Sequence, residues 1–225
     1  MARFNRLGVE VFLLTALIVT ASYSARPFMT DDAGAVTHEA FELEAGADFN
    51  ADESDGGIGI KHGITRCMDI GFGFGYLRTP EQAHTFTDAE LGRNFGLLPD
   101  LLAATATGCF GNRQFNINLI ASRAFSMVSV NANLGMSAVS DGNDADLTYA
   151  LCANREMGRF SAGIEFAGTQ KALDRWQIGG NVSLFDWLTL DAGVNGAFEG
   201  DINLVGTAGL TFAFPVTTNN DTKKE

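Results

Sequence analysis

Histidine, cysteine and proline are scarce in this chain, at three, three and four of 225 residues. The only side chains that titrate near neutrality are therefore His38, His62 and His84, and Thr37-His38, Lys61-His62 and His84-Thr85 match no esterase motif. Nucleophilic catalysis needs a nucleophile, a base and an orienting group brought together, so no enzymatic activity is expected. Cys67, Cys109 and Cys152 are far apart and show no CxxC or metal-ligand spacing, which gives no support to a zinc or redox site. Their odd number leaves at least one thiol unpaired in a monomer, and they read as incidental, with one disulfide left open as the alternative. Basic residues are also few: 15 Lys and Arg against 27 Asp and Glu give a net charge of -12, with no cluster of the kind that displaces counterions from nucleic acid. No glycine-rich stretch precedes a helical pattern, which excludes a phosphate loop. No cofactor and no metal are expected.

Long apolar runs are absent after the first two dozen residues. Arg3 and Arg6 precede an apolar run from Val11 to Thr20 that gives way to small residues, the pattern of a cleavable secretory signal peptide over residues 1–24. Cleavage after Ser24 fits best, with Ala25 the alternative. The run is too short to cross a bilayer as a helix, and nothing later approaches the roughly 20 residues required. The leader carries Arg3, Arg6 and Glu10, so the mature chain is near -13. About 200 residues remain, within the range of one all-β domain.

What is present is a two-residue period. In Phe41-Glu42-Leu43-Glu44-Ala45-Gly46-Ala47-Asp48-Phe49 every odd position is apolar and every even one is acidic or glycine, which separates the two kinds onto opposite faces of a strand. The alternation recurs around Ile70 to Tyr76, Phe115 to Leu119, Val128 to Met136, Phe160 to Phe166, Trp176 to Leu184, Leu188 to Val194 and Leu204 to Phe214. Weaker strands read at about 57–63, 85–93, 100–108 and 146–153, for a total of about twelve.

Three features favour a transmembrane antiparallel up-and-down β-barrel over a soluble sandwich. The strands are near ten residues, long enough to cross a bilayer at a tilt. Their polar face is Gly, Ser, Asn and single acids rather than dense Lys and Glu. Aromatics such as Phe41, Phe49, Trp176, Phe185, Trp187, Phe212 and Phe214 fall near strand ends, as interfacial girdles require. The links agree: polar segments at 50–55, 78–83, 141–146 and 168–171 alternate with short turns read at Thr65-Arg66-Cys67, Ser122-Arg123-Ala124 and Phe185-Asp186. Glycine, 26 residues, exceeds its usual share of about 7%, and much of the excess falls on polar-facing strand positions, where it lets a narrow barrel curve. The expected organisation is a signal peptide (1–24), an N-terminal periplasmic segment (25–37), an outer-membrane barrel (38–214) and a flexible polar tail (215–225).

The inward face then carries Glu42, Glu44, Asp48, Lys61, Asp69, Asp88, Glu90, Asn131, Glu165 and Asp191. These line a lumen that favours cations, since acid rings enrich them in a confined pore. The blander alternative is that they pair with Lys61 and with Asn and Ser neighbours to fill a closed interior. Basic partners are too few to neutralise them all, which favours some water inside. A twelve-strand barrel stands between the filled eight-strand and the open sixteen-strand cases.

At the expected mature terminus, Arg26-Pro27-Phe28-Met29-Thr30-Asp31-Asp32-Ala33-Gly34, followed by Phe41-Glu42-Leu43-Glu44, resembles the opening of a bacterial outer-membrane family assigned to the MetA pathway of phenol degradation or described simply as transporters. The resemblance covers about 20 residues. It implies an outer-membrane barrel concerned with small, aromatic or hydrophobic molecules. The chain is short for that family, and the last strand aromatic, Phe214, is followed by eleven residues. Arg26, Pro27, Thr30, Asp31 and Asp32 make up the motif, and its Thr30-Asp31-Asp32 run reads as a binding element or a plug at the periplasmic mouth. The simpler reading is structural, because Thr and Asp side chains bond nearby backbone donors in turns.

The sequence thus points to a passive channel or transporter for small molecules in the outer membrane, in contact with its lipid and with the barrel-assembly machinery that inserts it. Two rivals remain: a structural or adhesive barrel with no transport, and a soluble secreted barrel that carries a ligand in an apolar core.

Overall fold

The computed structural model describes residues 27–50, 53–78, 85–110, 113–139, 145–199 and 204–214. The expected signal peptide, Arg26, His84 and the expected polar tail lie outside these. Twelve strands follow one another: β1 (Phe41–Phe49), β2 (Ser54–Thr65), β3 (Met68–Arg78), β4 (Thr85–Leu98), β5 (Leu102–Cys109), β6 (Gln114–Phe125), β7 (Val128–Val139), β8 (Ala145–Met157), β9 (Phe160–Thr169), β10 (Leu173–Phe185), β11 (Leu188–Ala197) and β12 (Val205–Phe214). Each pairs antiparallel with its sequence neighbours, and β12 closes on β1 from Phe41↔Phe214 to Phe49↔Gly206. Closure leaves no free sheet edge, the condition for spanning a bilayer with strands.

The alternation sets the orientation. Ile58 and Ile60 on β2, Phe72 and Phe74 on β3, Phe115, Ile117 and Leu119 on β6 and Ile178 on β10 are all exposed on the outside, whereas Glu42, Asn131, Asn133, Glu165, Gln177, Asp191 and Thr207 are buried inside. A soluble barrel would reverse these faces, so the secreted carrier with an apolar core does not fit. The outward apolar band is what hydrocarbon covers. Near one end, Phe185, Trp187, Phe212 and Phe214 stack in a row with ring centroids 5.1 to 6.0 Å apart. Amphipathic rings such as Trp suit the headgroup level.

That end also carries the short links: the two-residue turns Arg66–Cys67, Ser126–Met127, Gly158–Arg159 and Asp186–Trp187, and Pro99–Leu101. Gly158 has φ +70°, a left-handed backbone that glycine adopts without a Cβ clash. Links at the other end run from three to seven residues. One expected turn is corrected. Ser122-Arg123-Ala124 belongs to β6, because the in-and-out alternation continues through Ser122↔Asn131 and Arg123↔Val130 to Phe125, and Ser126 takes the turn with φ 59°.

Candidate functional site

The interior is not an empty tube. Residues 27–40, of which 27–37 belong to the segment expected in the periplasm, run up inside the barrel from the short-turn end as an extended strap. At its foot, His38 bridges Gly63 of β2, Glu39 N donates to the Gly63 carbonyl at 2.8 Å, and Val36 N donates to Asp69 Oδ2 of β3 at 2.9 Å. Higher up, Ala33 N donates to Ser122 Oγ of β6 at 2.8 Å. Asn133 of β7, its amide turned so that both ends are paired, accepts from Asp31 N at 2.8 Å and donates to the Asp31 carbonyl at 3.0 Å. Met29 N, Thr30 N and Thr30 Oγ1 all donate to Glu165 of β9, at 3.2, 2.6 and 2.5 Å. Gln177 Nε2 of β10 donates to the Pro27 carbonyl.

These holdfasts climb. Asp69 is the second residue of its strand from the short-turn end, Ser122 the fourth, Asn133 and Glu165 the sixth and Gln177 the ninth. They also cross, since β2 and β3 stand nearly opposite β9 and β10 in a ring of twelve. A chain segment inside a sheet-lined lumen has backbone donors that no strand pairs, and each must be met in some other way. Wall side chains meet them here, and that explains much of the inward polarity.

The fit is also steric. A Cβ on Gly63 would overlap the carbonyl oxygens of Val36 and Thr37, and one on Gly179 would overlap Pro27 Cγ, so the absence of a side chain makes room for the strap at both places. Ala33 packs on Ala103 of β5 and Ile120 of β6, all three at most 2% exposed. Ile120 is an inward isoleucine on a face otherwise set with Asn and Ser. In the sequence it shows only as a break in alternation at Leu119-Ile120-Ala121, the one signal that something apolar faces this wall.

The anticipated lumen residues divide into groups. Glu165 and Asp69 hold the strap. Glu42 and Glu44 of β1 flank Lys61 of β2, whose Nζ lies 2.9 Å from Glu44 Oε2 and 3.9 Å from Glu42 Oε1. Asn131 is buried on β7 between Ser122 and Cys152, and Asp191 on β11 between Asn181 and Gly209. Asp48 sits at the long-loop end of β1 opposite Asp55 and Thr207, and Asp88 and Glu90 pair with Gly75 and Gly73 in the β3/β4 register. His62 faces outward, donating from Nδ1 to the Ala40 carbonyl at 3.0 Å and stacking on Phe41. Cys67, Cys109 and Cys152 are all free thiols, the last buried.

Of the motif residues, Thr30 is buried against Glu165 and Pro27 against β10. Asp32 Oδ1 accepts from Gly34 N at 2.7 Å, the local turn contact expected of it. Protein around Asp32 pushes its carboxyl up to about 6, against the pull of the Gly34 N–H and of Lys61. Asp31 accepts from Asn118 Nδ2 at 3.3 Å, yet its side chain is exposed although its backbone is bound at mid-height. The lumen therefore keeps accessible space beside the strap.

Compared with known proteins, no family model matches this chain and no curated protein is similar to it in sequence. Solved structures do resemble it in fold. The KdgM porin in complex with disordered oligogalacturonate superposes with a TM-score of 0.63 at 8% identity, over 77% of this chain and 99% of that one. A second KdgM porin structure gives 0.60 at 8% identity over the same shares, and the NanC porin 0.56 at 8%, over 76% of this chain and 98% of that one. The fold is that of a porin barrel.

Proposed function

We propose that this protein is a passive channel for small solutes in the outer membrane, with its short turns in the periplasm and its longer links outside. The observation that carries the proposal is the inside-out barrel with accessible space at mid-height, where Asp31 is exposed within a polar lumen and the Lys61 side chain is 40% exposed. A barrel serving only as a scaffold or adhesin has no use for such a space. Its charge balance, set by Glu42, Glu44, Asp31 and Asp32 around Lys61, favours cations and uncharged molecules over anions. Small aromatic molecules, the class implied by the resemblance at Arg26 to Gly34, fall within that range, although the polar wall suits those bearing hydroxyl groups better than hydrocarbons. Similarity to porins supports the channel and leaves the solute to experiment.

The test is single-channel conductance of the refolded mature chain, residues 25–225, in a planar lipid bilayer, with a Glu42→Gln, Glu44→Gln double variant beside it. Steady steps that favour cations are expected. The double variant leaves Lys61 without its two carboxylates and should shift selectivity towards anions. Silence from protein shown to be inserted and folded would instead favour a structural or adhesive barrel.

A further inference from the structure

The strap divides the lumen unequally, and the glycines map the division. Gly63 and Gly179 are in contact with it, whereas a Cβ on Gly59 of β2 would find only the Phe72 carbonyl at 3.9 Å and one on Gly71 of β3 only Lys61 Cγ at 3.4 Å and the Ile60 carbonyl at 3.7 Å, none of them strap atoms. At Gly59 and Gly71, beyond the strap's foot, the inward face is thus clear of it, and Lys61 projects there part-exposed. From the opposite side the strap presents Asp31, its backbone clamped by Asn133 and its carboxylate exposed while accepting one hydrogen bond from Asn118 of β6. Asp31 and Lys61 thus both present exposed side chains to the lumen, one from the strap and one from β2.

The strap is also a resident part of the wall. Its removal would strip the buried Glu165 of three donors, leave Asp69 without the Val36 N–H and expose Ile120. Both the carboxylate and the apolar group would then lose the contacts that offset their burial.

Resting on the channel reading above, we propose that the solute path is the gap between the strap and the β1–β3 wall, and that Asp31 is its charge-selecting residue. On this reading Glu165 and Asn133 are positioning residues, which hold the strap at the height that brings Asp31 to the gap. Solute passes beside the strap, without the strap having to leave.

The experiment is the reversal potential of the mature protein in a bilayer under a potassium chloride gradient. Asp31→Asn should lower the permeability ratio of cation to anion roughly 25-fold, about fivefold from the attraction the cation loses and about fivefold from the repulsion the anion loses, for one unit charge about 4 Å away in water. A second variant, Asp31→Cys with Cys67, Cys109 and Cys152 replaced by serine, is exposed to a positively charged methanethiosulfonate reagent. The thiol should react in the folded barrel and conductance should fall. If Asp31→Asn conducts with its selectivity unchanged, or the introduced thiol resists the reagent, the path lies elsewhere and the channel reading still stands. If inserted wild-type protein passes no current, the channel reading fails and this inference with it.

Discussion

Glu165 and Glu44 look alike in the sequence, each an inward acid between apolar neighbours in an alternating strand, yet they serve opposite sides of the lumen. Glu165 is buried at 1% exposure and accepts three hydrogen bonds from the strap. Glu44 stands on the side the strap leaves clear and pairs with a lysine that is itself part-exposed. The strap-bearing surface is built as a receptor for a peptide backbone, and the β1–β3 surface as the bank of a polar gap. An inward carboxylate in a barrel therefore carries no single meaning; its partner decides whether it holds chain or faces water.

The sharpest way to break this comparison is to truncate both acids. Glu165→Ala leaves Met29 N, Thr30 N and the Thr30 hydroxyl without their charged acceptor, at a cost of about 3 kcal/mol. Glu44→Ala leaves Lys61 part-exposed and still beside Glu42, and should cost about 1 kcal/mol. Urea unfolding from lipid vesicles, followed by tryptophan fluorescence, measures both. Cys152 pairs with Glu165 across β8 and β9, so its labelling by a maleimide in the folded protein reports whether the strap has lifted. Labelling should rise in Glu165→Ala and stay at the wild-type level in Glu44→Ala. Equal costs and equal labelling would mean that the two surfaces do not differ as described.

A pair of glycine substitutions sharpens the same contrast. Gly63→Ala drives a methyl group into the Val36 and Thr37 carbonyls, and overpacking of this kind costs about 1 to 3 kcal/mol. Gly59→Ala, four residues away on the same inward face, meets nothing closer than 3.9 Å and should stay within about 0.5 kcal/mol of wild type. Its effect should appear in conductance, which the extra methyl group narrows. The same urea titration and bilayer recording distinguish the outcomes, and a Gly59→Ala penalty as large as that of Gly63→Ala would place the strap on both surfaces.

The barrel was legible in the sequence because a two-residue period is imposed by the pleat itself, so Phe41 to Phe49 or Val128 to Met136 could hardly be read otherwise. The strap was legible only as residues. Thr30-Asp31-Asp32 stood out, and the Asp32 turn was expected, but nothing local says that Thr30 meets a carboxylate 135 positions away. The partners of the inward acids are not legible, because alternation fixes which side a residue takes and is silent on what fills that side. Glycine was read as relief for curvature, which does not distinguish Gly63 from Gly59. The misread turn at Ser122 has the same root: a small polar residue fits a turn or a lumen wall equally well, and here Ser122 holds Ala33.

The smallest expected effect comes from pH and acts where the two surfaces meet. Asp32 lies on the strap, off the membrane-crossing strands, and is half-buried. The charged groups that act on it are Lys61 from β2, Asp31 beside it and Asp100 from the link between β4 and β5, with the Gly34 N–H bonded to its carboxylate. Burial raises its carboxyl from 3.8 to about 6, so the docked strap prefers the protonated form. The stability this contributes is fully present below about pH 4 and is lost as pH rises through about 6. Between pH 5 and 7.5 the strap should therefore loosen modestly, read as faster labelling of Cys152 after correction for thiol ionisation with a free cysteine standard. Asp32→Asn keeps the Gly34 contact and cannot ionise, so its labelling should be flat across that range. A slope that survives in Asp32→Asn would assign the titration to another group and leave the strap's docking independent of Asp32.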